Sequence, residues 1–224
     1  MISLRKPAAG IVAAAVLVPL ALFGSASSAS AQTTSCDLRP RGTIVGAKTK
    51  TISFAIPSAT EWTYDLSAVG IYVYNTAADG DGSAVTIGPK SFQNSDAGAH
   101  PGTVQRTRRS DGVQDTCVAT WRLRRGTRLQ NVKVTRIKYG RKLTGTLQRV
   151  VWGKKPAERW TTYSKGAVGV EFVNARGQWQ YAGSATVTKG GKFTFTKQIG
   201  QRKWRLAFGG DGLSGPTPEV EVTG

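Results

Sequence analysis

The sequence predicts an all-β protein made of two β-sandwich domains. Apolar and polar side chains alternate with period two through a series of short runs, the signature of half-buried strands. Glycine, at 27 residues, and threonine punctuate those runs. Long Ala/Leu/Glu/Lys stretches that would read as helix are missing after residue 31.

Residues 1–31 read as a removable export signal. Arg5 and Lys6 precede an apolar run of 13 residues from Ile11 to Phe23, and Ala29-Ser30-Ala31 places small residues at a cleavage site. The run is short for a membrane span and contains Pro19. Cys36 follows Gln32-Thr33-Thr34-Ser35, which is not an apolar lipobox. The mature chain is therefore expected to start at Gln32 and to be soluble, secreted and extracellular. Its 193 residues carry a net charge of +16. That excess favours acidic partners such as cell-wall phosphate polymers, anionic headgroups, nucleic acid or acidic proteins, although charge also serves solubility.

Residues 32–126 form the first domain. Ile52, Phe54 and Ile56 alternate with Ser53 and Ala55, and Ile71 and Val73 with Tyr72 and Tyr74. In the run 117–124, Cys117, Ala119, Trp121 and Leu123 share one face, with Val118, Thr120, Arg122 and Arg124 on the other. Between Ser91 and Asp115 the alternation weakens, and long surface loops are expected. An exported chain with two cysteines points to one structural disulfide, Cys36–Cys117, and leaves no thiol for a metal or redox motif.

A basic connector over 127–139 is expected to lead into the second domain, 140–224. There Leu143, Gly145 and Leu147 share a face, as do Val168, Val170 and Phe172. Asn174-Ala175-Arg176-Gly177 reads as a turn and Lys189-Gly190-Gly191 as a hairpin turn. Phe193 and Phe195, then Trp204, Leu206 and Phe208, continue the alternation, and 219–222 close the chain. Six or seven short strands in ~85 residues match an immunoglobulin-like sandwich. Without a cysteine, this domain is expected to rest on burying Trp179, Phe193, Phe195, Trp204 and Phe208, at about 2–3 kcal/mol each.

The runs Ala119–Thr127, Gly140–Leu147 with Trp152, and Trp204–Asp211 resemble a recurrent pattern of secreted actinobacterial two-domain β-rich proteins. Trp62, Gly70–Val73 and Phe92–Gly98 add to it. The resemblance implies an N-terminal β domain before an immunoglobulin-like module in an extracytoplasmic setting. It carries over no functional residue.

Catalytic parts are missing. His100 is the only histidine and lies in Ala99-His100-Pro101-Gly102, without a nucleophile motif. Gly209-Gly210-Asp211-Gly212 follows a strand but precedes Ser-Gly-Pro, so it is no phosphate loop. Asp79 and Asp81 in Asp79-Gly80-Asp81-Gly82-Ser83 offer a cation two carboxylates, but the favoured reading is a polar turn. Glu219 and Glu221 read as a solvated face. No cofactor is expected.

The better lead is basic and aromatic. Trp152, Lys154, Lys155, Arg159 and Trp160 bracket one loop, with Arg122, Arg124 and Arg125 at the end of the first domain. Residues 134–224 hold 16 basic and 5 acidic side chains, so most of the charge lies there. Tryptophans flanking lysines could stack on rings while cations hold phosphate, though loop aromatics also cover the ends of sandwiches. The reading is a secreted, non-catalytic binding or adaptor protein. It would dock another secreted protein as a subunit of an extracellular assembly, or hold an acidic cell-surface polymer. A carbohydrate- or calcium-binding module and a secreted enzyme inhibitor are the alternatives.

Overall fold

The computed structural model describes residues 34–75 and 83–224. The export signal and the Asp79/Asp81 pair lie outside these residues. The described chain is all-β. Its strands in order are β1 (Gly42–Val45), β2 (Lys50–Phe54), β3 (Ala59–Leu66), β4 (Ile71–Asn75), β5 (Ser83–Ile87), β6 (Gly98–Arg108) and β7 (Gln114–Arg125). After Gly126 come β8 (Thr127–Ile137), β9 (Gly140–Val150), β10 (Trp160–Thr162), β11 (Ala167–Val173), β12 (Trp179–Thr186), β13 (Lys192–Lys197), β14 (Lys203–Phe208) and β15 (Val220–Thr223).

The first sandwich sets a five-stranded sheet, β1-β7-β6-β3-β4, against the ribbon β2-β5. The alternation in β7 does what its sequence dictates: Cys117, Ala119, Trp121 and Leu123 are all buried. Phe54 from the ribbon packs on Tyr64 and Trp121, with ring centroids 6.1 and 5.6 Å apart. Cys36 and Cys117 are joined, with their Cα atoms 5.7 Å apart, so the described chain starts pinned near the beginning of β7.

The expected loops between Ser91 and Asp115 are mostly strand. The eleven-residue β6 lies between β3 and β7. Its pattern is faint because few of its core-facing side chains are apolar: Gly102 and Val104 are buried there, and Arg106 follows. Gly102 is required, since a Cβ would sit 2.6 Å from the Tyr64 ring and 2.5 Å from the Asp65 carbonyl oxygen. Pro101 is tolerated beyond the last residue paired with β3, where Asp65 meets Thr103.

The second sandwich has β8-β9-β13, with β10 on the end of β9, facing β12-β11-β14-β15. This strand order, with sequence neighbours β10/β11, β12/β13 and β13/β14 divided between sheets, is the Greek-key plan of immunoglobulin-like domains. Leu143, Leu147, Val168, Val170, Phe193, Trp204, Leu206 and Phe208 fill the space between the sheets.

Three expectations for this half need correction. Residues 127–139 are not a connector, because β8 pairs with β9 along nearly its whole length. A bulge between Gln130 and Lys133, with Asn131 at φ 53°, breaks the alternation that would have marked the strand. Lys189-Gly190-Gly191 supplies the positive φ angles but carries the chain from one sheet to the other rather than closing a hairpin. Trp179 is not core. It lies outside the sheet beneath Arg205 and Lys203, at 4.6 and 5.7 Å from its ring, and Phe195 is only half-buried.

Candidate functional site

The loop 151–159, expected to present a binding surface, is instead driven into the first sandwich. Trp152 is 3 % exposed and belongs to the first core. Its ring packs on Phe92, 5.5 Å between centroids, and its Nε1 donates to the Val45 carbonyl at 3.1 Å. Its backbone N–H donates to Asn94 Oδ1 at 3.0 Å, and Gly153 N–H to the Pro89 carbonyl at 2.7 Å. A ring so enclosed cannot stack on a ligand.

Arg159 is likewise buried. Its guanidinium donates to the carbonyls of Ala47 and Lys154. Arg125, also buried, donates Nε and Nη2 to the Val150 carbonyl at 2.8 and 2.5 Å. Burial, followed by the nearby Arg149 cation, pulls the Arg125 guanidinium down to about 10. Trp160 is half-buried under Arg128, 4.1 Å from its ring. These side chains belong to the joint between the sandwiches. Lys154 and Lys155 remain exposed at the loop tip, while Arg122 and the half-buried Arg124 project from the outer face of β7. The eight residues therefore do not form one surface.

Beside the joint, Tyr163 donates its hydroxyl to Asp211, which also accepts the backbone N–H groups of Leu213 and Ser214 at 2.9 and 2.7 Å. Burial pushes the Tyr163 phenol up, and its hydrogen bond to Asp211 adds to this. Burial pushes the Asp211 carboxyl up too, but these donors outweigh it and hold the group below its ordinary range. Arg149 stacks on the other side of Tyr163 at 4.1 Å and reaches Ser214 Oγ at 3.2 Å.

What the structure does assemble from basic residues is a sheet face. The outer side of β8-β9-β13 carries Lys133 opposite Thr144 opposite Thr194, then Gln130, Thr146 and Lys192, then Thr135, Lys142 and Thr196. Arg128, Gln148 and Thr162 continue it on the side of β10. Lys133, Lys142 and Lys192 are exposed, and none of them or Arg128 has a carboxylate within 4.0 Å among the described residues.

The opposite sheet neutralises itself. Arg205 pairs with Glu171 and Glu219, and Lys203 with Glu221. Carboxylates are thus confined to one of the two sheets, while cations occur on both. The signal was present in the sequence: there are seven arginines and lysines between Thr127 and Val150, and three between Lys189 and Lys197, with no carboxylate in either stretch. The bulge at Asn131 hides it, because it makes β8 read as a connector.

His100 Nε2 makes its hydrogen bond with the Asp96 carbonyl at 2.6 Å. No three His, Cys, Asp or Glu side chains gather as metal ligands among the described residues.

No family model matches the chain, and no curated protein matches it. Among solved structures, the chain is similar to the fibronectin(III)-like modules of Clostridium thermocellum CbhA. They are 13 % identical at a TM-score of 0.34, covering 87 % of this chain and 90 % of that one. The D00-D0 domain of intimin is 13 % identical at a TM-score of 0.31, over 84 % and 98 % of the two chains. The FN1-FN3 domains of chicken CNTN1 are 9 % identical at 0.33, over 85 % and 67 %.

Proposed function

We propose that this is a secreted, non-catalytic binding protein whose second sandwich holds an acidic cell-surface polymer on the outer face of β8-β9-β13. The observation that carries the reading is the carboxylate-free sheet, with Lys133, Lys142 and Lys192 set among threonines and making no ion pair among the described residues. Neighbouring strands lie about 4.8 Å apart and residues rise about 3.4 Å, so these cations spread over roughly 10 by 14 Å. A flexible chain of phosphates can meet several of them at once, while Thr135, Thr144, Thr194 and Thr196 offer hydroxyls to its oxygens. The Cys36–Cys117 bond supports an extracytoplasmic setting.

Inorganic polyphosphate is the simplest probe. Its affinity should fall about tenfold or more between 50 and 300 mM salt, and by a similar factor in the K133Q/K142Q/K192Q variant. Binding that ignores both salt and the triple substitution refutes the reading.

A further inference from the structure

The first sandwich has a feature of opposite character. On the outer face of its five-stranded sheet, β4, β3, β6 and the start of β7 enclose an open trough of about 570 Å³. The register builds it in rows. Tyr74 lies beside Thr63, Gln105 and Thr116, and Glu61 beside Thr107 and Gln114. Tyr72 and Tyr74, two residues apart on β4, share this face and are each 63 % exposed. Alternation explains why: Ile71 and Val73 take the core side, which leaves both phenols to solvent on an edge strand.

The lining is unusual for a chain this basic. It offers hydroxyls, amides and carboxylates, but no free cation among the described residues. Arg106 borders the trough with its charge already committed, Nε and Nη2 on Asp115 at 2.8 and 3.3 Å and Nη1 on Ser58 Oγ at 2.8 Å. Arg122 and Arg124 share the outer face of β7 but stand six or more residues from Thr116, about 20 Å away. A polyanion gains nothing here. Glu61 makes no ion pair among the described residues, and Asp65, one row over, accepts the Ser67 N–H at 2.8 Å.

We infer that the trough is a binding site for an uncharged oligosaccharide, separate from the cationic sheet of the second sandwich. A sugar ring presents an apolar C–H face and a rim of hydroxyls. Tyr72 and Tyr74 present two flat faces about 7 Å apart along one strand, suited to successive rings of an extended chain. Gln105, Gln114 and Glu61 provide the donors and acceptors that a hydroxyl rim needs, and Thr63 and Thr107 keep the floor low. The strands hold these groups in place before the ligand arrives, so little ordering is required on binding.

The test uses the mature chain and soluble tetramers of β-1,4-linked glucose, mannose and N-acetylglucosamine, followed by saturation-transfer NMR and calorimetry. At least one tetramer should bind, insensitive to salt from 50 to 500 mM. Y72A/Y74A should weaken that binding about tenfold or more, and T63W, which fills the trough, should abolish it. K133Q/K142Q/K192Q should leave it unchanged, which separates this site from the polyphosphate face. Absence of saturation transfer to all three tetramers, or equal binding by Y72A/Y74A and T63W with unchanged melting temperatures, overturns the inference.

Discussion

Trp152→Ala separates a structural role for the 151–159 loop from a binding role. The indole is 3 % exposed and sits against Phe92 inside the first core, although its own chain segment belongs to the second sandwich. Truncation of so enclosed an aromatic costs about 3–5 kcal/mol. The lost Nε1 hydrogen bond accounts for about 0.5–1.5 kcal/mol of that. No orphaned acceptor adds to the cost, because the Val45 carbonyl still receives the Gly126 N–H at 3.0 Å. The assay is equilibrium urea unfolding read by tryptophan fluorescence and far-ultraviolet circular dichroism. Wild type should lose both sandwiches in one transition. Trp152→Ala should shift the midpoint by the equivalent of about 3–5 kcal/mol and split it, as the sandwiches lose their shared wedge. A loss below about 1 kcal/mol with one transition would show that the indole is not the wedge, and the joint described above would be wrong.

Replacing Cys36 and Cys117 by serine opens a cross-link spanning 81 positions, and should lower stability by about 4–5 kcal/mol on the chain-entropy model, checked by urea midpoints. Gly140→Ala places a Cβ 2.1 Å from the Lys197 carbonyl at φ 148°, and should cost about 2 kcal/mol or more, read as a drop in melting temperature. Asp211 and Asp115 are held below the ordinary carboxylate range, Asp115 chiefly by its hydrogen bonds from Arg106. The unfolded chain therefore takes up their protons first on acidification. Stability from both should be complete at neutral pH and be lost progressively below about pH 4, with Asp211→Asn flattening that slope in pH-dependent melting.

Strands with apolar residues on one face and a polar face to solvent were fully legible. Cys117–Arg124, Val168–Phe172 and Trp204–Phe208 bury the residues their alternation assigns. The disulfide followed from compartment and count. β6 was hidden because a glycine and an arginine share its core side with Val104, leaving little hydrophobic contrast. β8 was hidden by its bulge at Asn131. The binding residues failed for a different reason. Tryptophan and arginine are amphipathic, and local sequence cannot say whether a Trp-Lys-Lys-Arg-Trp loop faces water or another part of the same chain. Here 107 positions separate Trp152 from the carbonyl that receives its N–H. The cationic sheet and the tyrosine trough emerge only from register, which places residues far apart in sequence on one row.

Only Gly126 stands between β7 and β8. A Cβ there would lie 2.8 Å from Gly46 Cα, so even that residue is clasped by the neighbouring chain. The chain thus passes from one sandwich to the next without slack for a protease to enter. Tension applied along it would meet continuous strand rather than an elastic tether. Whatever is gripped at one end should be held at a fixed distance and angle from whatever is gripped at the other, as by a rigid spacer.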